Sequence, residues 1–228
     1  MNEVLEAKKM EKVKVYDINM KPTEPYIATR KEVHKYGFWH KHFDCWIVRR
    51  DIDDDYVMFQ LRSDRKSAFK NMLEVSASGH IESHEEVKDG VRELKEELGI
   101  DVDFKHLRFL GVFRNIMDIE ENGKKEREFC HTYAYECPEQ IEDYNLQREE
   151  VTGMYEMKIS EAIKFFAGDL EKIQIRGYVK GYHKYEEDIK VIYQKDIKTT
   201  FVPYFGNYYL RVVLSLKRFL DGEKYIAL

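Results

Sequence analysis

The 228-residue chain has only three cysteines, Cys45, Cys130 and Cys137, and only four prolines. Three scattered thiols build no disulfide framework and suit a reducing compartment, so a cytoplasmic protein is expected. The prolines and the twelve glycines are dispersed. No linker-like stretch, repeat or low-complexity tract divides the chain, and a single domain over 1–228 is expected. Long apolar runs are also missing. Nothing approaches the roughly eighteen uncharged residues of a spanning helix, and the N-terminal MNEVLEAKKMEKVKV has no apolar signal core. Positive charge is not in excess. Lys+Arg total 38 against 43 Asp+Glu, a net charge of −5, which excludes a nucleic-acid-coating protein as the default. Neither nucleic acid nor a membrane is therefore expected as a partner. A small anionic substrate in a local basic pocket remains compatible with this balance. What is present is an ordinary apolar share, 43%, and a high charged share, 36%, as in a well-solvated globular protein.

The patterning mixes strands with a few helices. Residues 42–50 and 56–61 read as a hairpin around the acidic turn Asp51–Asp55. A polar loop, RSDRKSAFKN, leads to a short strand around Leu73–Ala77. Over 85–98 the spacing of Val87, Val91, Leu94 and Leu98 predicts a helix, stopped by Gly99. Residues 107–117 and 128–136 read as long strands joined by the charged turn 119–127, and 151–158 as another strand. Ser160 is expected to cap a helix running to about Ala167. Residues 170–200 alternate weakly, as a hairpin or an irregular insertion, and 207–220 again show helical spacing. Such a mixture suggests an α/β or α+β sandwich.

The most informative stretch is 79–100, GHIESHEEVKDGVRELKEELGI. On a helix, Glu93, Glu96 and Glu97 share one side, with Leu94 and Leu98 opposite. A solvated charged face is the plain reading of ELKEEL alone. Clustered carboxylates become favourable when a hard divalent cation sits among them, Mg²⁺ being the natural candidate, and Arg92 can offset part of the charge.

In its full context the stretch closely resembles the Nudix box, G-x5-E-x7-R-E-U-x-E-E-x-G-U. Gly79 and Glu85 match its first half, and Arg92, Glu93, Leu94, Glu96, Glu97, Gly99 and Ile100 its second. One residue is missing between Glu85 and Arg92, so either the segment is shortened or His84 takes the glutamate position. The resemblance implies an α/β class fold, an α/β/α sandwich around a mixed sheet, here with an extension over about 168–228 ending in a helix. It implies Mg²⁺ or Mn²⁺ held by Glu93, Glu96 and Glu97, with the Gly79 carbonyl as a further ligand. Glu97, Arg92 and Glu93 become the catalytic set. The implied substrate is a nucleoside diphosphate derivative, cut by water at phosphorus.

Residues 12–90 resemble a branch of that family, isopentenyl diphosphate isomerase and its hydrolase-like relatives, in VYDINMKPTEPYIATRKEVHKYGFWHKHFDCWIV and the Gly79–His80 pair. In those isomerases three histidines and two glutamates hold a metal. The matching positions here are His34, His40, His80, Glu126 and Glu128. Arg62 and Lys66 match residues that hold a diphosphate, and a compact basic pair suits that work. Against isomerase activity, Ser78 stands where the isomerases place a catalytic cysteine, and a serine hydroxyl is a poor proton carrier toward an alkene.

Other candidates have plainer readings. His34 and His40 also fit as packing histidines beside Phe38 and Trp39, and Glu126 and Glu128 as a solvated hairpin tip. Glu149 and Glu150 occupy a loop where some Nudix enzymes keep their general base. Thus His40, His80, Glu128 and Glu150 are the candidates for a second metal or a base. Cys130 and Cys137, seven apart on a strand, fall on opposite faces and read as buried thiols. Tyr204, Phe205, Tyr208 and Tyr209 read as core, as a homodimer surface or as a base-stacking platform. The sequence therefore predicts a cytoplasmic, metal-dependent pyrophosphate hydrolase. Its rivals are an isomerase-like enzyme and a non-catalytic nucleotide-binding module.

Overall fold

A computed structural model describes residues 11–181 and 185–228. The N-terminal stretch read as lacking a signal core lies largely outside the described residues. A small antiparallel pair comes first, β1 (Lys12–Tyr16) with β2 (Pro22–Thr29), followed by helix α1 (Arg30–Tyr36). Thr29 and Glu32 cap α1 reciprocally, each side chain meeting the other's backbone N–H, which satisfies two orphan donors.

The main sheet is mixed. Its strands are β3 (His40–Arg50), β4 (Asp55–Arg62), β5 (Leu73–Glu74), β6 (Ala77–His80), β7 (Arg108–Ile119), β8 (Lys124–Glu136), β9 (Val151–Lys158), β10 (Lys172–Lys180) and β11 (Tyr185–Tyr193). The order is β11-β10-β9-β4-β3-β8-β7, with β5 on β4 and β6 on β3. Only β3 and β8 run parallel. Strands β3 and β4 pair at one end, over Val48–Arg50 and Asp55–Val57, and then diverge. Ser76 sits in the gap: its hydroxyl accepts from the Ile47 amide at 2.9 Å and donates to the Met58 carbonyl at 2.6 Å. That wedge splits the single short strand read around Leu73–Ala77 into β5 and β6.

Helix α2 (Arg92–Leu98) covers one face of the sheet, packing Leu94 and Leu98 on Phe43, Ile47 and Met58. The opposite face carries α3 (Ile159–Ala167) and α5 (Tyr208–Leu220) over Trp46, Val57 and Phe59, while the one-turn α4 (Ile197–Thr200) links β11 to the end of the chain. The expected α/β/α sandwich around a mixed sheet is therefore observed. Cys130 and Cys137 lie in opposite cores, and all three cysteines are buried and unpaired. No helix among the described residues is long and apolar enough to cross a membrane.

Three local expectations are corrected. The helix read over 85–98 is a 3₁₀ turn over Val87–Val91 before α2 begins. Gly90 there is pressed on Phe43, where an added Cβ would stand 2.6 Å from the Phe43 Cβ, so position 90 has no room for a side chain. Ser160 does not cap α3. Lys158 is the cap position, and the Ser160 hydroxyl bonds Asp54 across the surface. The turn read as 119–127 is shorter, because β8 already begins at Lys124. The weakly alternating stretch 170–200 resolves as the hairpin β10–β11. The aromatic C-terminal run is mostly core: Tyr208 and Tyr209 are buried, and the Tyr208 hydroxyl accepts from Trp46 at 3.2 Å.

Candidate active site

The splayed end of β3 and β4 receives the carboxylates of α2. Glu93 and Glu97 are buried, while Glu96 stays exposed at the rim. Glu97 accepts from the Ser78 amide at 3.1 Å and from Gln60 at 3.4 Å. Glu93 lies against Gly79, where any Cβ would stand 1.9 Å from its carboxylate oxygen. The opening glycine of the motif is therefore required by contact. Arg92 meets three carboxylates: Glu85 through two bonds of 2.7 and 3.2 Å, Glu96 at 3.1 Å, and Glu93 in a shorter contact. Its Nη2 also donates to the His80 carbonyl at 3.1 Å. Glu85, not His84, thus occupies the glutamate position, and His84 points to solvent beside Glu82. The 3₁₀ turn absorbs the missing residue.

Burial pushes the Glu97 carboxyl up to about 8, and the neighbouring Glu93 and Glu150 charges add to the rise, while Lys66 opposes it. A carboxyl held in this way is short of positive charge, which a divalent cation would supply. Glu93, Glu96, Glu97 and Gly79 therefore suit a hard metal ion.

The loop after β4 is tied to the loop before β9. Arg65 pairs with Glu149 at 2.9 Å, Lys66 pairs with Glu150, and the Ser63 amide donates to the Glu150 carbonyl at 2.9 Å. Arg62 is turned inward, to Glu74 and to the Ala68 carbonyl at 3.1 Å. It holds the loop in shape, and Arg62, Arg65 and Lys66 all line the cavity.

A second cluster forms where α1, β3, β6 and β8 meet. Each of His34, His40, His80 and Glu128 offers a ligand atom, all within 4.8 Å of one another. The register explains the convergence: His40 lies beside Glu128 across the parallel pair, and His42 lies opposite His80. His34 Nε2 is 3.1 Å from His80 Nε2, and His34 Nδ1 is 2.8 Å from Glu126. Asn115 fixes the Glu128 carboxylate at 2.9 Å. His40 donates through Nδ1 to the Phe38 carbonyl at 2.9 Å, which leaves Nε2 buried without a hydrogen bond among the described residues. Burial lowers His34 and His40 to about 4 and His80 well below its usual value. Neutral imidazoles with a lone pair turned inward and a fixed outer nitrogen are what a transition-metal ion takes.

Spacing along the chain did not find His42 and Asp44. The His42 Nδ1 is 2.9 Å from Asp44. Burial would lower this imidazole, but Glu128 and the Asp44 bond raise it to about 9. The signal was the alternation in HKHFD, which puts His40, His42 and Asp44 on one strand face. Gln60 and Asn115 had no such signal.

One cavity of about 1280 Å³ joins both clusters, lined by Glu93, Glu96 and Glu97 on one side and His34, His80 and Glu128 on another. Ser78, Lys66 and Glu150 also face it.

A NUDIX-domain family model matches residues 38–196. An uncharacterised Nudix hydrolase of Clostridium acetobutylicum is 39% identical over 188 residues, covering 82% of this chain and 89% of that protein. Nudix hydrolase 3 of Arabidopsis thaliana is 28% identical over 141 residues, 60% of this chain but only 18% of that protein. A crystal structure of a Deinococcus radiodurans protein aligns with a TM-score of 0.49 and 16% identity, over 69% of this chain and 90% of that one.

Proposed function

Because the chain belongs to the NUDIX-domain family and is a hydrolase of phosphorus-containing anhydrides, we propose that it uses Mg²⁺ or Mn²⁺ to cleave a pyrophosphate bond in a nucleoside diphosphate derivative or related organic pyrophosphate. The observation that carries this reading is the buried Glu93–Glu97 pair opening onto a cavity that Lys66 and Arg65 also line. Glu93, Glu96 and Glu97, with the Gly79 carbonyl, would hold the ion. A bound divalent ion neutralises charge on phosphoryl oxygens and lowers the pKa of its water. Arg92 holds Glu85, Glu93 and Glu96 in register. Arg62 and Lys66 grip the substrate phosphates, with Arg65 beside them on the cavity lining. Glu150 takes the proton of the attacking water as general base. His34, His40, His80 and Glu128 would hold a second divalent ion of the kind that favours imidazole, with Glu126 fixing the outer nitrogen of His34. The unpaired thiols suit a reducing cytoplasm.

The histidine cluster also favours a second reading, an isopentenyl diphosphate isomerase-like reaction. Ser78 weighs against it, because its hydroxyl is weakly acidic and a poor proton carrier toward an alkene. Incubation with isopentenyl diphosphate and with ADP-ribose in water labelled with both deuterium and ¹⁸O separates the two. Hydrolysis puts ¹⁸O into a phosphate product. Deuterium entering the carbon skeleton, enhanced by Ser78→Cys and with no labelled phosphate, would refute the hydrolase reading.

A further inference from the structure

The family match ends at residue 196, yet the segment just beyond it reaches the active-site cavity. Phe201 makes a parallel bridge to Leu73, and the Val202 amide donates to the Leu73 carbonyl at 3.0 Å. The Tyr209 hydroxyl donates to the Val202 carbonyl at 2.8 Å. The segment is thereby added alongside β5, next to Glu74 and the Arg62 that holds the phosphate-side loop. The Tyr204 amide turns back to the Val202 carbonyl at 2.8 Å. Both residues thereby border the cavity. Behind Tyr204 the packing is rigid, with Tyr208 at 4.6 Å and Phe113 edge-on at 6.1 Å between ring centroids. Phe69 and Met117 also line the cavity. A cavity of about 1280 Å³ is far larger than a pyrophosphate group and falls in the range that holds a whole organic ligand. Its charged lining is accounted for by the phosphates and cations. Val202, Tyr204, Phe69 and Met117, which line the same cavity, are not.

We propose that Val202 and Tyr204 are specificity-determining residues, forming the wall that seats the organic group of the substrate, one with an apolar face and a polar atom within reach of the Tyr204 hydroxyl. This rests on the pyrophosphatase reading for the identity of the charged end. Burial, with the Glu74 charge, keeps the Tyr204 phenol protonated and so a donor.

The test is calorimetric binding in the presence of Mg²⁺, because it needs no turnover. The probes are methylenediphosphonate alone, methylene-bridged ADP, and an isopentenyl methylenediphosphonate. Wild type is expected to prefer at least one organic-bearing probe over bare methylenediphosphonate. Tyr204→Phe and Val202→Ala each cut that preference by about five- to tenfold, the scale of one hydrogen bond or one packed methyl pair, and leave methylenediphosphonate binding unchanged. Tyr204→Phe removes one oxygen and keeps the ring packing, so it guards against misfolding. The proposal falls if neither organic group adds affinity, if the preference survives both substitutions, or if all probes weaken together. A preference that shifts as expected in a protein showing no Glu97-dependent turnover would fault the hydrolase reading and leave the wall standing.

Discussion

Burial holds the Glu97 carboxyl up at about 8, so near neutral pH it carries a proton that an entering cation must displace. Titration with Mg²⁺ at pH 7 is therefore expected to release close to one proton, read by calorimetry in buffers of different ionisation enthalpy. The release should fade as the pH passes 8 and vanish in Glu97→Gln. A proton count of zero at pH 7 in wild type would contradict the assignment. Arg92 has a separate signature. Its loss leaves Glu85, Glu93 and Glu96 facing one another without their shared cation. Arg92→Gln is expected to lower unfolding stability by about 2–3 kcal/mol, less than the 3–5 kcal/mol of a fully buried pair because the site is partly open. Denaturant melts check this. At the residue scale the box was legible because Gly79, Arg92, Glu93, Glu96, Glu97 and Gly99 match the motif pattern, whereas helical spacing alone did not separate the glutamates from a solvated face. The choice between Glu85 and His84 was not, since it depends on a 3₁₀ turn that Gly90 permits against Phe43.

The elements matter through how closely they approach. Strand β6 passes so near α2 that Gly79 has no room for a side chain. Gly79→Ala is expected to displace Glu93, cutting metal-dependent turnover by orders of magnitude while circular dichroism stays native. Retained activity would contradict the close approach. Strands β3, β4, β7, β8 and β9 and helix α5 were readable because their apolar periods are regular, whereas β1, β2 and α1 were not read. The division of β5 from β6 was hidden, because it depends on the Ser76 hydroxyl bridging Ile47 and Met58, a long-range contact with no local pattern. The role of Ser160 was misread for the opposite reason: a cap residue type lies one turn position late and bonds Asp54 instead.

Over the whole molecule, topology gathers residues far apart in sequence. His34, His40, His80 and Glu128 come from four elements, and the chain gives no spacing rule for them. Only family resemblance connected them before the fold did. Their burial has a consequence for stability. In the metal-free protein His34 and His40 titrate at about 4, below the usual 6.5 of an unfolded chain. The unfolded state then binds more protons between those values, so stability falls as the pH drops from 6.5 toward 4. His42, raised to about 9, works the other way, and its contribution is lost as the pH rises through 9. Thermal melts of chelated protein are expected to be highest near neutral pH, and His40→Gln should flatten the acid side. An acid side as steep in His40→Gln as in wild type would show that the cluster does not carry it. The C-terminal segment likewise acquires meaning only at this scale, when Phe201 joins Leu73 and brings Val202 and Tyr204 to the cavity.

The most direct measurement is phosphate release from a panel of nucleoside diphosphate derivatives, dinucleoside polyphosphates and isopentenyl diphosphate. It is made with Mg²⁺ and with Mn²⁺, for wild type and Glu97→Gln. Metal-dependent release from at least one member, lost by orders of magnitude in the variant, is the predicted result. Release that is independent of metal, or equal in wild type and Glu97→Gln, would contradict the account.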